Sequence, residues 1–122
     1  MKNILESIKT QNKIRGINKY TNQLISADET LNFILKCYKM VSQNFKFVNS
    51  QYEFSKIFFD CNKYYYGKIK CEKKSVSINC LATLIKNIQL LQQSSFNNDA
   101  NNQKINALCL EGKKLIYKKL LL

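Results

Sequence analysis

The chain has no proline, no histidine and only three glycines. Sandwiches and barrels need many turn residues, so this scarcity predicts few, long elements. Without histidine the commonest general base is missing. Cys37, Cys61, Cys71, Cys80 and Cys109 contain no pair at the C-x₂-C spacing of a zinc site. Their count is odd and most fall among apolar neighbours, which predicts buried free thiols in a reducing compartment rather than disulfides. No apolar run approaches the roughly 20 residues that a membrane span needs. The start, MKNILESIKT, lacks the apolar core of a secretory signal, and a mitochondrial targeting helix is disfavoured by Glu6 and by the absence of arginine from the first ten residues. These absences lead us to expect a cytoplasmic protein with no membrane span, no metal and no cofactor.

Catalytic motifs are also lacking. No serine or cysteine sits in a nucleophile motif, and no glycine-rich loop is present to cradle phosphate. The eight acids are scattered, and Asp28, Glu29 and Glu53 fall at predicted helix starts. The expectation is a protein that is not an enzyme.

What the chain does have is apolar residues and positive charge. At 122 residues and 45% hydrophobic content it fits one helical domain, 1–122, with one modest core. The formal net charge is +12, from 20 basic and eight acidic residues, and such a field favours polyanions. Arg15 is the sole arginine, so nineteen of the twenty cations are lysine. Asn, Ile, Tyr and Phe are frequent as well, and all have A/T-rich codons, so an A/T-rich genome is the alternative source of the lysine excess. It does not account for the shortage of acids.

Two capping boxes punctuate the chain. Ser26-Ala-Asp-Glu29 and Ser50-Gln-Tyr-Glu53 each place a hydroxyl at the N-cap and a carboxylate three residues on, where each satisfies an orphan backbone donor. After Ser26, residues Leu31, Ile34, Leu35, Tyr38, Val41 and Phe45 recur at helical steps, predicting a helix over about 27–46. After Ser50, Phe54, Ile57, Phe58, Cys61 and Tyr65 do the same to about residue 66, where Gly67 offers a stop. A basic connector, 68–74, leads to a third helix capped by Ser75 or Ser77. Its face is Ile78, Leu81, Leu84, Ile85, Ile88 and Leu91. The polar stretch 92–103 reads as a loop. A last helix is predicted over about 103–120, with Ile105, Leu108, Leu115 and Ile116 inward and Gly112 weakening its middle by about 1 kcal/mol. The segment 1–25 also reads as helical, through Ile4, Leu5, Ile8, Ile14, Ile17 and Leu24. The expected fold is all-α: a small four- or five-helix bundle with antiparallel helical hairpins.

Basic residues gather in three places. The densest is KYYYGKIKCEKK, with Lys63, Lys68, Lys70, Lys73 and Lys74 beside one acid, Glu72. Lysine neutralises phosphate, and a tyrosine ring stacks on an unpaired base. Helical geometry puts Tyr65 on the core stripe and leaves Tyr64 and Tyr66 as the candidate stacking groups. The plain alternative is that all three tyrosines pack against neighbouring helices while the lysines solvate a connector. The second group is Lys113, Lys114, Lys118 and Lys119 on the last helix, where positive charge also complements the helix dipole. The third is Lys9, Lys13, Arg15 and Lys19.

Three patches carry a family resemblance. Lys13-Ile14-Arg15 is similar to an early Lys-Ile/Leu-Arg motif. Lys63-Tyr64-Tyr65-Tyr66 with Gly67-Lys68 resembles a basic aromatic run that ends in Gly-Arg. Glu111 with Tyr117-Lys118 resembles a C-terminal Glu-Ala…Tyr-x-Lys helix. Together they look like the small helical subunits of multi-subunit CRISPR effector complexes, of the type III-A class or related type I small subunits. Lys68 stands where that pattern has arginine, and Gly112 where it has alanine. The resemblance implies a filament subunit present in several copies beside other subunits, holding RNA or DNA by its backbone while base pairing carries specificity. It puts contact roles on Lys13, Arg15, Lys63, Lys68 and Lys70, with Tyr64 or Tyr66 as stacking groups.

Two other classes fit the residues. One is a structural subunit of a large assembly, for example a mitochondrial complex, using Phe33, Tyr52, Phe59 and Tyr66 as an exposed apolar surface. The other is an acidic-membrane binder using the amphipathic first segment.

Overall fold

In the computed structural model, which describes residues 23–45, 50–93 and 98–120, two serines in extended backbone each start a helix. Ser26 (φ −62°, ψ 154°) precedes α1, Ala27–Lys39, and Ser77 (φ −70°, ψ 152°) precedes the helix Ile78–Leu90. The chain at these two helix starts pairs as a short antiparallel ladder, β1 Leu24–Ile25 with β2 Val76–Ser77, which the sequence did not signal. Ile25 and Val76 are buried beneath it while Leu24 faces out. Leu24, expected on a helical core face, is therefore an exposed strand residue. The rest of the predicted N-terminal helix lies outside the described residues.

Along the chain the α-helices are α1, α2 Gln51–Ile57, α3 Tyr65–Glu72, α4 Ile78–Leu90 and α5 Asp99–Leu120. The all-α expectation holds, with five α-helices among the described residues. The consecutive helices α4 and α5 pack together as a hairpin, α1 packs on α5 and α3, and α2 packs on α3.

Helix α1 is shorter than predicted. Its axis continues as a π-helical turn, Met40–Phe45, in which the Ser42 hydroxyl donates to the Tyr38 carbonyl at 2.8 Å. That carbonyl is the acceptor an α-helix would offer to the Ser42 amide, and such back-bonding loosens a helix. The buried face is also wider than the predicted stripe. Thr30, Phe33, Ile34, Cys37, Met40 and Val41 are buried, while Leu31, Leu35 and Tyr38 are only partly covered. Phe33 is thus core and not exposed contact surface, because α1 is covered on two sides.

The caps differ from each other. At Ser50 the hydroxyl accepts from the Glu53 amide at 3.2 Å, and at Ser77 from the Cys80 amide at 3.1 Å. At Ser26 the expected side-chain cap does not form. Its hydroxyl instead donates to the Glu29 carboxylate at 3.4 Å, and that carboxylate also lies 3.7 Å from Lys118.

The largest departure is at residues 58–64, where a continuous helix to about 66 was expected. Ile57, Phe58 and Phe59 are three adjacent apolar residues and span some 200° of a helix, so one helix cannot bury all three against one neighbour. The chain ends α2 instead, and all three are buried. Asp60 takes the left-handed conformation (φ 56°), which aspartate tolerates better than most residues. The Cys61 amide donates back to the Ser55 carbonyl at 3.0 Å. Buried Asn87 of α4 donates to the carbonyls of Phe58 (2.9 Å) and Ile57 (3.4 Å), satisfying acceptors that a helix end leaves open. Gly67 is not the stop. It lies inside α3, which ends at Lys73 in the left-handed conformation (φ 51°). Residues 68–72 of the predicted connector are therefore helical.

Helix α4 buries Ile78, Leu81, Leu84, Ile85 and Ile88, with Leu91 buried just beyond, as the spacing predicts. Helix α5 begins four residues earlier than expected, inside the polar stretch. The Asn98 side chain accepts from the Asn101 amide at 2.9 Å, an N-cap that asparagine favours. Gln92 donates to the side chains of Asn102 (2.8 Å) and Asn106 (2.7 Å), one turn apart, and ties the polar stretch to the helix. Residues 94–97 of the predicted loop lie outside the described residues.

Gly112 has a packing role that propensity alone obscures. A Cβ there would lie 2.6 Å from Phe33 Cζ and 2.7 Å from Ile85 Cγ1 and Cδ1. Its missing side chain lets α5 seat against both α1 and α4. Gly112→Ala gains about 1 kcal/mol of helix propensity, but overpacking costs about 1–3 kcal/mol. The expected result is a net loss of stability, read as a lower urea midpoint. An unchanged or raised midpoint would show that the neighbours yield freely.

Candidate nucleic-acid interface

The turn between α2 and α3 displays the first part of the basic aromatic run. The Asn62 side chain accepts from the Tyr64 amide at 2.9 Å, and its carbonyl accepts from the Tyr65 amide at 2.9 Å. These bonds set the start of α3 and leave Lys63 and Tyr64 on the outside. Tyr64 is 48% exposed, and beside it stands Tyr52 of α2, 53% exposed. The two rings meet edge to face with centroids 5.5 Å apart. Lys63 Nζ lies 5.2 Å from the Tyr64 ring centre and 5.9 Å from that of Tyr52.

Tyr66 is placed elsewhere and cannot stack on a ligand. It is 2% exposed, its ring stacks on Tyr38 at 4.8 Å, and its amide donates to the buried Ser55 hydroxyl at 2.8 Å. Burial, with Tyr38 and Cys37 nearby, pushes its phenol up to about 12. The residue expected on the core stripe, Tyr65, is only partly buried, and its ring and that of Phe59 meet edge to face with centroids 5.1 Å apart. The physical reason is the break in α2. Once α3 starts afresh at Tyr65, its face is no longer in phase with α2, and Tyr66 and Ile69 turn inward.

Among the lysines, Lys68, Lys73 and Lys74 are exposed, and Lys70 is half-buried with Nζ 5.6 Å from the Tyr66 ring centre. Lys73 projects from the left-handed residue that ends α3. Lys113 is half-buried, Lys114 is exposed, and Lys118 is exposed opposite Glu29. The second group rides on α5, which packs on α4 and α1, whereas α3 packs on α2 and α1. Lys9, Lys13 and Arg15 lie outside the described residues.

Two features escaped the sequence reading. Tyr52 was assigned to a protein-contact surface with Phe33, Phe59 and Tyr66. Those three are buried, and Tyr52 instead joins Lys63 and Tyr64. The other is an open cleft of about 490 Å³ between the α1–π segment and α5, floored by Met40 and Leu108 and rimmed by Lys36, Lys39 and Lys104. Lys36 pairs there with Glu111 at 3.2 Å. No local signal announces this cleft, because Lys104 and Leu108 are far in the chain from Lys36, Lys39 and Met40.

The thiols are mixed rather than uniformly buried. Cys37 and Cys109 are buried, Cys61 and Cys80 are half-buried with sulfurs 3.8 Å apart, and Cys71 is exposed. Burial pushes the Cys37 and Cys109 thiols up, away from the thiolate that a nucleophile needs. Among the described residues, no three Cys, Asp or Glu side chains come together as metal ligands would, and no helix is long and apolar enough to cross a membrane. Comparison of the chain with protein-family models, curated proteins and solved structures finds no match.

Proposed function

We propose that this chain is a non-catalytic, basic helical subunit of a ribonucleoprotein that holds nucleic-acid backbone without reading sequence. The observation that carries the reading is α3 with its flanks, where Lys63, Lys68, Lys73 and Lys74 are all exposed and Glu72 is the one acid from residue 61 to residue 98. Lysines on a phosphate backbone act as point charges, so binding is indifferent to base identity and steeply salt-dependent. The resemblance to small subunits of CRISPR effector complexes belongs to the same proposal, as do a cytoplasmic location, further subunits, and several copies lining one strand or duplex.

The test is isolation of the tagged protein from its native host at low salt. A discrete short RNA with a fixed set of larger subunits is the expected result. Protein partners that persist at high salt without nucleic acid would overturn it. They would favour a structural subunit, for which the specific observation is the outer face of α5. Leu110 and Tyr117, two turns apart, are 55% and 57% exposed there.

A further inference from the structure

We infer that Tyr52, Lys63 and Tyr64 form a stacking platform for unpaired bases, so that the strand held at this site is single-stranded. The inference rests on the nucleic-acid reading above and narrows its ligand class. Two large aromatic rings remain about half exposed beside each other, on a protein that buries Phe33, Phe54, Phe58, Phe59 and Tyr66 almost completely. The sites are also rigidly built. Tyr52 stands in the first turns of α2 behind the Ser50 cap, and Tyr64 is held by the Asn62 side chain. Behind them, Asn87 fixes the carbonyls of Ile57 and Phe58.

Lys63 now lies beside both rings, and magnitudes decide whether a base displaces it. An exposed cation–π contact is worth a factor of roughly 2 to 5. A base stacked on an aromatic side chain is worth a factor of roughly 5 to 150. A base therefore takes the ring face, and the freed ammonium is left within reach of the phosphate next to that base. The edge-to-face rings present differently oriented surfaces, which suits a strand that turns at the site and does not suit a stacked duplex. Every base has a flat face, so the platform favours single strands while remaining indifferent to sequence.

The test uses the full chain and fluorescein-labelled oligothymidylate and oligouridylate of about 15 nucleotides, the upper range of such sites, beside a duplex of the same length. Anisotropy titrations at low salt should show tighter binding of a single strand than of the duplex. Tyr52→Leu with Tyr64→Leu should lower single-strand affinity roughly tenfold or more and leave duplex affinity within a factor of about two. Tyr64→Phe, which keeps the flat ring, should bind like the wild type. Both tyrosines are half exposed, so the variants should keep their thermal midpoint, which is checked alongside. Equal losses on single strand and duplex, or no loss on either, would overturn the platform while leaving backbone binding intact. Absence of binding to any of the three probes would remove the nucleic-acid reading and the platform with it.

Discussion

Phe54→Ala is expected to lower the free energy of unfolding by about 3–5 kcal/mol, the usual cost of emptying a buried phenylalanine site. The side chain is fully buried. Its ring meets Tyr66 at 5.1 Å and Tyr38 at 5.2 Å, both edge to face, then Phe59 at 5.6 Å and Phe58 at 5.7 Å. Edge-to-face pairs are favoured because the positive ring edge meets the negative face, and each is worth about 0.5–1.5 kcal/mol beyond area burial. These increments share one ring and do not add. The four partners come from α1, the end of α2 and α3, so the alanine variant opens a cavity where three segments meet. A domain of this size holds only about 5–15 kcal/mol in total, so the variant should lose about a quarter or more of its stability. Urea melts followed by circular dichroism provide the measurement, with Phe54→Leu as a milder companion. A loss below about 1 kcal/mol would mean that the aromatic cluster does not hold these segments together.

The second large effect concerns binding. Replacing Lys68, Lys70, Lys73 and Lys74 with glutamine keeps much of each side-chain stem and removes four charges, taking the net charge from +12 to +8 (12 − 4). Each phosphate contact contributes about 0.9 to the slope of log affinity against log salt on duplex DNA, and about 0.7 on a single strand. If all four lysines touch phosphate, the slope falls by roughly 3. The affinity loss is largest at low salt. Lys73→Gln keeps a Cβ at the left-handed position, so the end of α3 experiences no new strain. The control is a set with the same charge change elsewhere, namely Lys36, Lys39, Lys86 and Lys104. A comparable slope change in both sets would mean that the whole-protein field drives binding and that α3 is not the site. An unchanged slope in the first set would remove these lysines from contact.

How much was readable in advance differs from element to element, for physical reasons. The face of helix α4 was legible, and its cap was narrowed to Ser75 or Ser77. Its apolar residues repeat at three- and four-residue steps and its cap, Ser77, acts locally through the Cys80 amide. The Ser50 cap was legible for the same reason. The start of α5 was half legible. Asn98 before Asp99 is a local cap signal, but the surrounding polar run masked it. The basic run over 63–74 was visible as composition, and its division into exposed and buried tyrosines was not. That division follows from the break after Ile57, which depends on Asn87, some thirty positions later in the chain.

Gly112 makes the same point from the other side. By propensity it is a flaw in a helix, and by contact it is where α5 approaches Phe33 and Ile85. Tyr52 was assigned to a protein-contact surface because one-dimensional periodicity cannot say that Lys63 and Tyr64 return beside it.

The sequence by itself determined the all-α class, the face of α4, the Ser50 cap and the excess of positive charge. Each of these rests on spacing within a few residues or on composition, and needs no partner from elsewhere in the chain. Tertiary structure alone decided where α2 ends, which tyrosine is core and which is surface, and that Gly112 is a contact point. Those outcomes depend on groups such as Asn87, Phe33 and Ile85, which reach their places only when distant helices pack.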